Sequence, residues 1–309
     1  DLLTAFGQRL AGSDIALEPA TTSWREWSQR ATALAAHPAV LDRRTYWIDA
    51  ETAATVRLAD PGVTGAPQAG DLRRLPIALT DEQTSQIDNA RRVLQASTEE
   101  ILLAALARGL AATVGEGVAT VDLAGAGRSV LRPDVDFRRT IGWFDTVYPI
   151  ALPCMGVPGA SAAQLLDEVG RAVKAVPHHG IGYGLLRYLH APTAGRLGAA
   201  GSADIHLSYL GMIPEWQDSD APVQFDPDTA LPVREAIPGL GHALELRAYR
   251  TGGVLHLDWW HDSRRIAEPV VRAIAEGFST AVLDLVRAAI AEEDLAVEGD
   301  DEMTLVELS

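Results

Sequence analysis

The residues whose types and spacing could support chemistry lie mainly in two glycine-rich stretches. Residues 125–128 read Gly-Ala-Gly-Arg and follow a stretch typical of a β-strand, where a glycine turn can cradle a phosphate. A dinucleotide-binding turn needs a third glycine and a helix that opens on the turn. Val130 occupies the third glycine's position, and residues 132–134, Arg-Pro-Asp, are a poor helix start. The sequence therefore argues against a nucleotide site.

The second stretch places His178 and His179 before a glycine-rich turn. Adjacent histidines point apart on a strand and lie about 100° apart on a helix, so they rarely share a metal ion. His256 and His261 have a spacing that fits no common zinc site, and we expect all four to be ordinary loop and edge histidines. No Gly-x-Ser-x-Gly elbow occurs, and Cys154 lies among Pro and Gly without an obvious base. The sequence predicts neither a metal site nor a hydrolase.

Composition excludes further classes of function. The formal net charge of -16 argues against nucleic acid and anionic membranes, because phosphate binding needs clustered Lys and Arg. No run of eighteen apolar residues occurs, and the first residues lack the basic region of a signal peptide. A single cysteine can form neither an intramolecular disulfide nor a zinc cluster, which suits a reducing compartment. We therefore expect a cytoplasmic protein.

Longer strings of the sequence resemble a known family. Residues 141–150 read Ile-Gly-Trp-Phe-Asp-Thr-Val-Tyr-Pro-Ile and resemble the vGWFTxxyPv signature of epimerization domains, a branch of the condensation superfamily of nonribosomal peptide synthetases. Ordinary condensation domains usually carry vGxFxNtxP there, so Trp143 and Tyr148 favour the epimerization branch. Further strings follow in family order: 22–27 (tSfkxWa), 46–47 (yW), 176–189 (vPxkGiGYGlLrYl), 208–211 (fNYLG) and 258–263 (lxWxYS).

This resemblance implies an α/β fold of two chloramphenicol-acetyltransferase-like lobes around a tunnel that receives phosphopantetheine-tethered substrates from carrier proteins. Residues 1–55 would end the N-terminal lobe, 56–75 would form a linker and 76–309 the C-terminal lobe. No cofactor would bind directly. The signature residues expected at the tunnel are Gly125, Gly127, Arg128, Trp143, Tyr148, Tyr183 and Tyr209.

The sequence differs from the family mainly in the family's two catalytic segments. The family's His-His-x-x-x-Asp-Gly motif lies upstream of the helix that begins here at residue 1. The pair His178-His179 does not replace that motif, because Tyr183 stands where the motif would have its Asp. Its second segment, EGHGRE, corresponds to residues 124–129, Ala-Gly-Ala-Gly-Arg-Ser. Ala124 and Ala126 cannot transfer a proton, and each general acid or base is typically worth about 10²–10⁴-fold in rate. Ser208 replaces the Asn of fNYLG as well. We therefore expect no catalytic residue at these positions.

A condensation-like domain without catalytic motifs resembles the X-domain of glycopeptide-antibiotic synthetases. That domain recruits cytochrome P-450 type haem oxygenases to a carrier-bound peptide. The resemblance thus implies a peptidyl carrier protein and a haem oxygenase as partners. Two alternatives stay open: an epimerization domain that converts an L-aminoacyl or peptidyl thioester to the D form, and an ordinary condensation domain.

The elements that must position these residues follow from periodicity and capping. Helices are expected from Ser23, from Thr80, over 98–114, over about 161–176 and over about 267–292. Strands are expected near 75–79, 118–123, 146–152, 203–210, 242–250 and 253–260, the last two joined as a hairpin at Thr251-Gly252-Gly253. The acidic tail, residues 292–302, is expected to be loose.

Two side-chain roles are also predicted. Trp143, Phe144 and Tyr148 should be buried residues that anchor the C-terminal lobe. These aromatic residues are kept although the catalytic residues of the family are lost, which indicates a structural role. Arg128 should form an ion pair with Asp122 or Asp136.

Overall fold

The computed structural model describes residues 1–125, 127, 135–156, 161–199, 203–213, 238–239 and 241–306, with the backbone alone for 292–306. In this part of the chain the α-helices are α1 Leu2–Leu10, α2 Trp24–Ala35, α3 Pro38–Leu41, α4 Arg44–Thr52, α5 Asp81–Val93, α6 Thr98–Val114, α7 Ala162–Lys174, α8 Ile181–Gly184, α9 Ala191–Ala194 and α10 Glu268–Val306. The strands are β1 Leu72–Ala78, β2 Gly117–Gly125, β3 Thr146–Cys154, β4 Ile205–Met212, β5 Leu244–Thr251 and β6 Val254–Asp262. Two 3₁₀ turns span Ala69–Asp71 and Pro177–Gly180, and a π-helical turn spans Leu185–Leu189.

Side-chain caps set the starts of the main helices. The hydroxyl of Ser23 accepts from the Glu26 backbone N–H at the start of α2. Thr80, Ser97 and Ser161 each form a reciprocal capping box at the starts of α5, α6 and α7. These bonds satisfy N–H groups that the first turn of a helix leaves free. The predicted start of α5 at Thr80 is confirmed, and α6 has the predicted bounds.

The described strands form one mixed sheet in the order β1-β6-β5-β4-β2-β3. β2 pairs with β4, and β4 with β5, in parallel, whereas the remaining pairs are antiparallel. In the parallel pairs Asp122 lies opposite His206, and His206 opposite Glu245. The predicted hairpin between β5 and β6 is confirmed, with Thr251 paired to Val254.

Helices α6 and α10 cover the apolar face of the sheet. α6 is buried over nearly its whole length, and Phe278 of α10 packs edge-on against Trp259 of β6 with ring centroids 5.3 Å apart. The two helices touch through glycines: a Cβ on Gly109 would lie 2.5 Å from the carbonyl oxygen of Ile274, and one on Gly277 would lie 2.9 Å from the Gly109 Cα. Only residues without a side chain allow this separation of the helix axes.

Three expectations about the chain's course need correction. The backbone of α10 continues to Val306, so the acidic tail begins as part of a long helix rather than as a loose segment. β1 begins at Leu72, inside the predicted linker, because it pairs with β6 along its length. His256 and His261 belong to β6, which lies between β1 and β5 and is not an edge strand. Among the described residues, no helix is both long enough and apolar enough to cross a membrane.

Candidate functional site

The degenerate segment lies at the C-terminal end of β2. Ala124 and Gly125 are the last two residues of the strand, and they pair with Val147 and Thr146 of β3. Gly127 follows in a turn. Ala126 and Arg128 lie outside the described residues, so the predicted ion pair of Arg128 is untested.

The two possible carboxylate partners of that arginine have contacts of their own. Asp122 engages His242, whose Nε2 lies 2.8 Å from the Asp122 Oδ2. Asp136 pairs with Arg138 at 2.9 Å. Any bond from Arg128 would therefore share a carboxylate that is already engaged.

Close packing accounts for the two glycines of the segment. A Cβ on Gly125 would lie 2.6 Å from the Tyr148 ring and 3.1 Å from the His179 carbonyl oxygen. A Cβ on Gly127 would lie 1.5 Å from the carbonyl oxygen of Phe144, closer than any side chain can approach. The Tyr148 ring and the Phe144 backbone thus account for the two glycines independently of any reaction.

Tyr148 is the buried aromatic residue against which this region packs. Its ring packs edge-on against Trp47 at 6.1 Å between centroids, and Gly180 lies so close to it that a Cβ there would be 2.0 Å from the ring. Burial raises the pKa of the Tyr148 hydroxyl far above its ordinary value. The predicted anchoring role of Tyr148 agrees with this environment.

The turn that carries Gly180 has an unusual backbone. His178 and His179 both have positive φ, 50° and 53°, which is uncommon for residues with a side chain. The His178 Nε2 lies 3.3 Å from the carbonyl oxygen of Ala39. The described residues contain no group of His, Cys, Asp and Glu that could hold a metal ion.

Tyr183 belongs to a buried polar network that the sequence did not indicate. Its hydroxyl donates to Glu51 at 2.5 Å and accepts from Arg187. The Glu51 carboxylate also accepts the backbone N–H of Gly198, with both oxygens 2.8 Å away. Burial and the Glu51 charge together raise the pKa of Tyr183. The network ties α4 to the segment 183–198.

A second polar cluster lies on the sheet face that carries Ala124. Strand alternation and the β2–β4 register put Asp122, Ala124, His206 and Ser208 on this face. The His206 ring stacks on His242 at 5.0 Å, and its Nδ1 lies 3.8 Å from Glu245, too far for a hydrogen bond. All of these side chains except Ala124 are buried.

Arg247 completes the cluster, donating to Glu245 at 2.6 Å. Burial opposes the charge of Glu245, but His206 and Arg247 outweigh it and hold the pKa of this carboxyl below its usual range. The structure therefore brings Ala124 and Ser208 to one face, as expected for residues that line a common space. Tyr209 lies on the opposite face and is half-buried.

The prediction for Trp143 is wrong. Its side chain is 81% exposed, whereas Phe144 is 6% exposed and packs against Trp24, Trp27 and Phe137. The two residues precede β3 in a segment that is neither helix nor strand, and of the two only Phe144 is buried in the aromatic cluster.

Cys154 offers no nucleophile. It is buried at the end of β3, and burial raises the pKa of its thiol to about 12. Because the thiolate is the reactive form, this thiol is inert at neutral pH.

The chain matches the family described as Condensation domain over residues 1–288. It is 55% identical over 319 aligned residues to a phenolphthiocerol/phthiocerol polyketide synthase polypeptide of Mycobacterium tuberculosis. That alignment covers 100% of this chain and 21% of the relative, so the chain spans about a fifth of the relative's length.

Two solved structures share the fold. The epimerization domain from the third module of tyrocidine synthetase B superposes with a TM-score of 0.76 at 22% identity, covering 93% of this chain and 64% of that one. The X-domain from teicoplanin biosynthesis superposes with a TM-score of 0.63 at 14% identity, with the same coverage of 93% and 64%. At these identities the likeness concerns the fold alone.

Proposed function

The chain belongs to the condensation-domain family, and we propose that it serves a carrier-protein-dependent synthase of the polyketide type as a condensation-like domain without epimerization chemistry. The polyketide context is supported by the 55% identity to the mycobacterial synthase. A phosphopantetheine-tethered chain on a carrier protein is the substrate class that this context implies.

The observation that carries the proposal is Ala124 at the end of β2. The Tyr148 ring next to Gly125 and the Phe144 backbone next to Gly127 leave no room for a side chain, so both glycines would be kept whether or not the segment is catalytic. Ala124, by contrast, is a half-buried residue without an ionisable group. A methyl group can neither remove nor return an α-proton, and a lost acid or base typically costs about 10²–10⁴-fold in rate.

The buried pair Asp122–His242 does not contradict this proposal. Both side chains are buried, and the Asp122 oxygen and the His242 Nε2 engage each other at 2.8 Å. We interpret the pair as part of the polar packing of the sheet face.

The test measures exchange of the α-proton. The full synthase polypeptide, loaded with a carrier-bound acyl or aminoacyl chain, is incubated in deuterated water, with a tyrocidine-type epimerization domain as the positive control. We expect no deuterium incorporation above that of a sample without enzyme. Incorporation at an enzyme-dependent rate would instead support the alternative, an epimerization domain that forms the D configuration.

Recruitment of a cytochrome P-450 type oxygenase is a narrower proposal. Its support is the fold likeness to the teicoplanin X-domain together with the non-ionisable Ala124. The high net negative charge of -16 would favour a partner with a basic face. Titration with the haem oxygenases encoded beside the synthase should then give binding that weakens as salt rises. Absence of binding to a folded domain at both low and moderate salt would remove this proposal alone.

The division of the chain also stays a proposal. We assign residues 1–55 to the end of one lobe, 56–75 to a linker whose last residues, from Leu72 on, enter β1, and 76–309 to the second lobe. Trp27 and Trp47 join the same apolar core as the sheet, so residues on both sides of position 55 pack together.

A further inference from the structure

Three consecutive residues beside the end of β2 have a left-handed backbone. The angles φ and ψ are 50° and 38° at His178, 53° and 33° at His179, and 88° and -17° at Gly180. Residues with a side chain disfavour this region, and they enter it as single residues rather than in runs. We propose that this left-handed turn, residues 178–180, is a two-state latch that holds the end of β2 in place and can release it. The latch goes beyond the proposed function, because it concerns how the site moves and not which reaction it supports.

The left-handed turn contacts the end of β2 and the aromatic ring beside it. A Cβ on Gly125 would lie 3.1 Å from the carbonyl oxygen of His179 and 2.6 Å from the Tyr148 ring. A Cβ on Gly180 would lie 2.0 Å from the same ring. The turn and Gly125 therefore pack together against Tyr148. Release of the turn would take the His179 carbonyl away from Gly125 and free the segment in which the family's catalytic residues are replaced.

Contacts before and after the turn hold it in this conformation. The His178 Nε2 lies 3.3 Å from the carbonyl oxygen of Ala39, and Ile181, which follows the turn, is buried. Farther along the chain, the Tyr183 hydroxyl donates to the buried carboxylate of Glu51 at 2.5 Å. Unfavourable backbone conformations persist only where the surrounding structure fixes them, and they are typical of clamps and switch regions.

The sequence around the turn also suits a right-handed alternative. Pro177 stands at the first position of the 3₁₀ turn, and α8, Ile181–Gly184, follows residues 178–180 directly. Proline is favoured at the first position of an α-helix. With right-handed angles at residues 178–180, one helix would run from Pro177 through α8. The His179 carbonyl would then accept the Tyr183 N–H, as in any α-helix, and would leave the end of β2. This continuous helix is the released state of the latch.

Thr146 of β3 lies where the release can be measured. Its hydroxyl oxygen lies 3.0 Å, and the His179 carbonyl oxygen 3.1 Å, from the same point, the position of a Cβ on Gly125. The hydroxyl oxygen is buried and has no hydrogen-bond partner among the described residues. Thr146→Cys replaces it with a thiol of similar size. This thiol should be shielded while the turn is left-handed and should react with a thiol reagent when the turn is released.

The experiment compares two double variants in the intact polypeptide, each with Thr146→Cys as the reporter. His178→Gly with His179→Gly, and His178→Ala with His179→Ala, remove the same imidazoles but have different backbone preferences. Glycine adopts positive φ as readily as negative φ, whereas alanine does not. We expect the reporter thiol to be modified at least about fivefold faster in the alanine pair than in the glycine pair. Mass spectrometry of peptides after timed labelling measures the rate.

Two controls separate the latch from a general loss of stability. Cys154 is buried in β3 and reports opening of the sheet, so its labelling should differ less between the double variants than that of the reporter. Gln95 also has a φ of 50° but lies between α5 and α6. Gln95→Ala and Gln95→Gly make the same backbone change there and should leave the rate at the reporter unchanged.

Other outcomes overturn the latch. Equal labelling of the reporter in the two double variants would show that the backbone of residues 178–180 does not control the end of β2. Equal acceleration at the reporter and at Cys154 would show that the whole sheet opens instead. If the alanine pair does not fold, His179→Asn and His179→Ala provide the same comparison, because asparagine tolerates the left-handed region. None of these results changes the outcome of the α-proton exchange test, so the latch and the proposed function can fail separately.

Discussion

The two faces of the central sheet are made by the same strands but from opposite kinds of residue. One face carries Val121, Leu207, Leu246 and Trp259 and packs on α6 and α10. The other carries acids, bases and their hydrogen-bonding partners, and most of these are buried as well. Its buried members are Asp122, His206, Ser208, Glu245 and Asp258, whereas Arg247 on the same face is half-buried.

The comparison separates two ways of stabilising a fold. The apolar face stabilises the fold by removing apolar surface from water. The loss of stability caused by a mutation there should therefore increase with the side-chain volume that is deleted. The polar face depends on pairs, so the removal of one member leaves a buried charge or donor without its partner. Mutations on the two faces, and in the regions beside them, should therefore differ in their effects on stability.

The largest effect is expected on the apolar face. Phe278 is 1% exposed and packs on Trp259, so Phe278→Ala should lower the free energy of unfolding by about 3–5 kcal/mol. Chemical denaturation measures this, with Leu283→Ala, 40% exposed on the same helix, as the control. A loss below about 1 kcal/mol for Phe278→Ala would mean that the helix does not depend on this contact.

The polar face should respond through its pairs. His242→Ala leaves the buried Asp122 without the partner at 2.8 Å and should cost about 1.5–3 kcal/mol. The double variant with Asp122→Ala should cost less than the sum of the single variants, because both remove the same interaction. Additive costs would show that the two side chains do not stabilise each other, and the contrast between the faces would lose its basis.

A smaller effect is expected in the network around Tyr183. Tyr183→Phe removes the hydroxyl between Glu51 and Arg187 but keeps the ring, so it should cost about 0.5–1.5 kcal/mol. Tyr188→Phe is the matched control, since that side chain is 72% exposed. Thermal unfolding of the two variants gives the comparison, and equal melting temperatures would contradict the role assigned to the Tyr183 hydroxyl.

The smallest effect should be at Trp143. Because its indole is 81% exposed, Trp143→Ala should change the free energy of unfolding by no more than about 0.5 kcal/mol. The neighbouring Phe144→Ala should cost several times more, since that ring is 6% exposed. If denaturation curves of the two variants shift equally, Trp143 is buried in solution.

The predicted α/β condensation-type fold is confirmed, and local signals explain why it could be predicted. Capping residues such as Thr80 and the continuous apolar run of α6 act within a few residues, so they are visible in a single sequence. The hairpin at Thr251 is equally local. The long α10 was missed beyond residue 292 because an acidic, Gly-containing stretch is typical of a loose tail.

The site was less accessible to prediction, because its contacts join distant parts of the chain. Glu51 and Tyr183 are separated by 132 positions, and Asp122 and His242 by 120. Nothing in the local sequence marks Glu51 as a buried partner. The error at Trp143 has the same origin: a signature string gives the identity of neighbouring aromatic residues but not which of them the rest of the fold covers.

The position of β1 at the edge of the described sheet has a consequence for biosynthesis. β1 ends at Ala78, and β6, its partner among the described strands, begins at Val254. At a synthesis rate of about 5–20 residues per second, β1 leaves the ribosome roughly 10–35 s before β6 exists. During that interval the strand lacks its native neighbour, and unpaired strands are templates for aggregation. Chaperones that hold nascent chains should therefore bind the region of β1. When the protein is expressed at a higher level, the yield of folded protein should fall more than the stability of the finished domain would suggest.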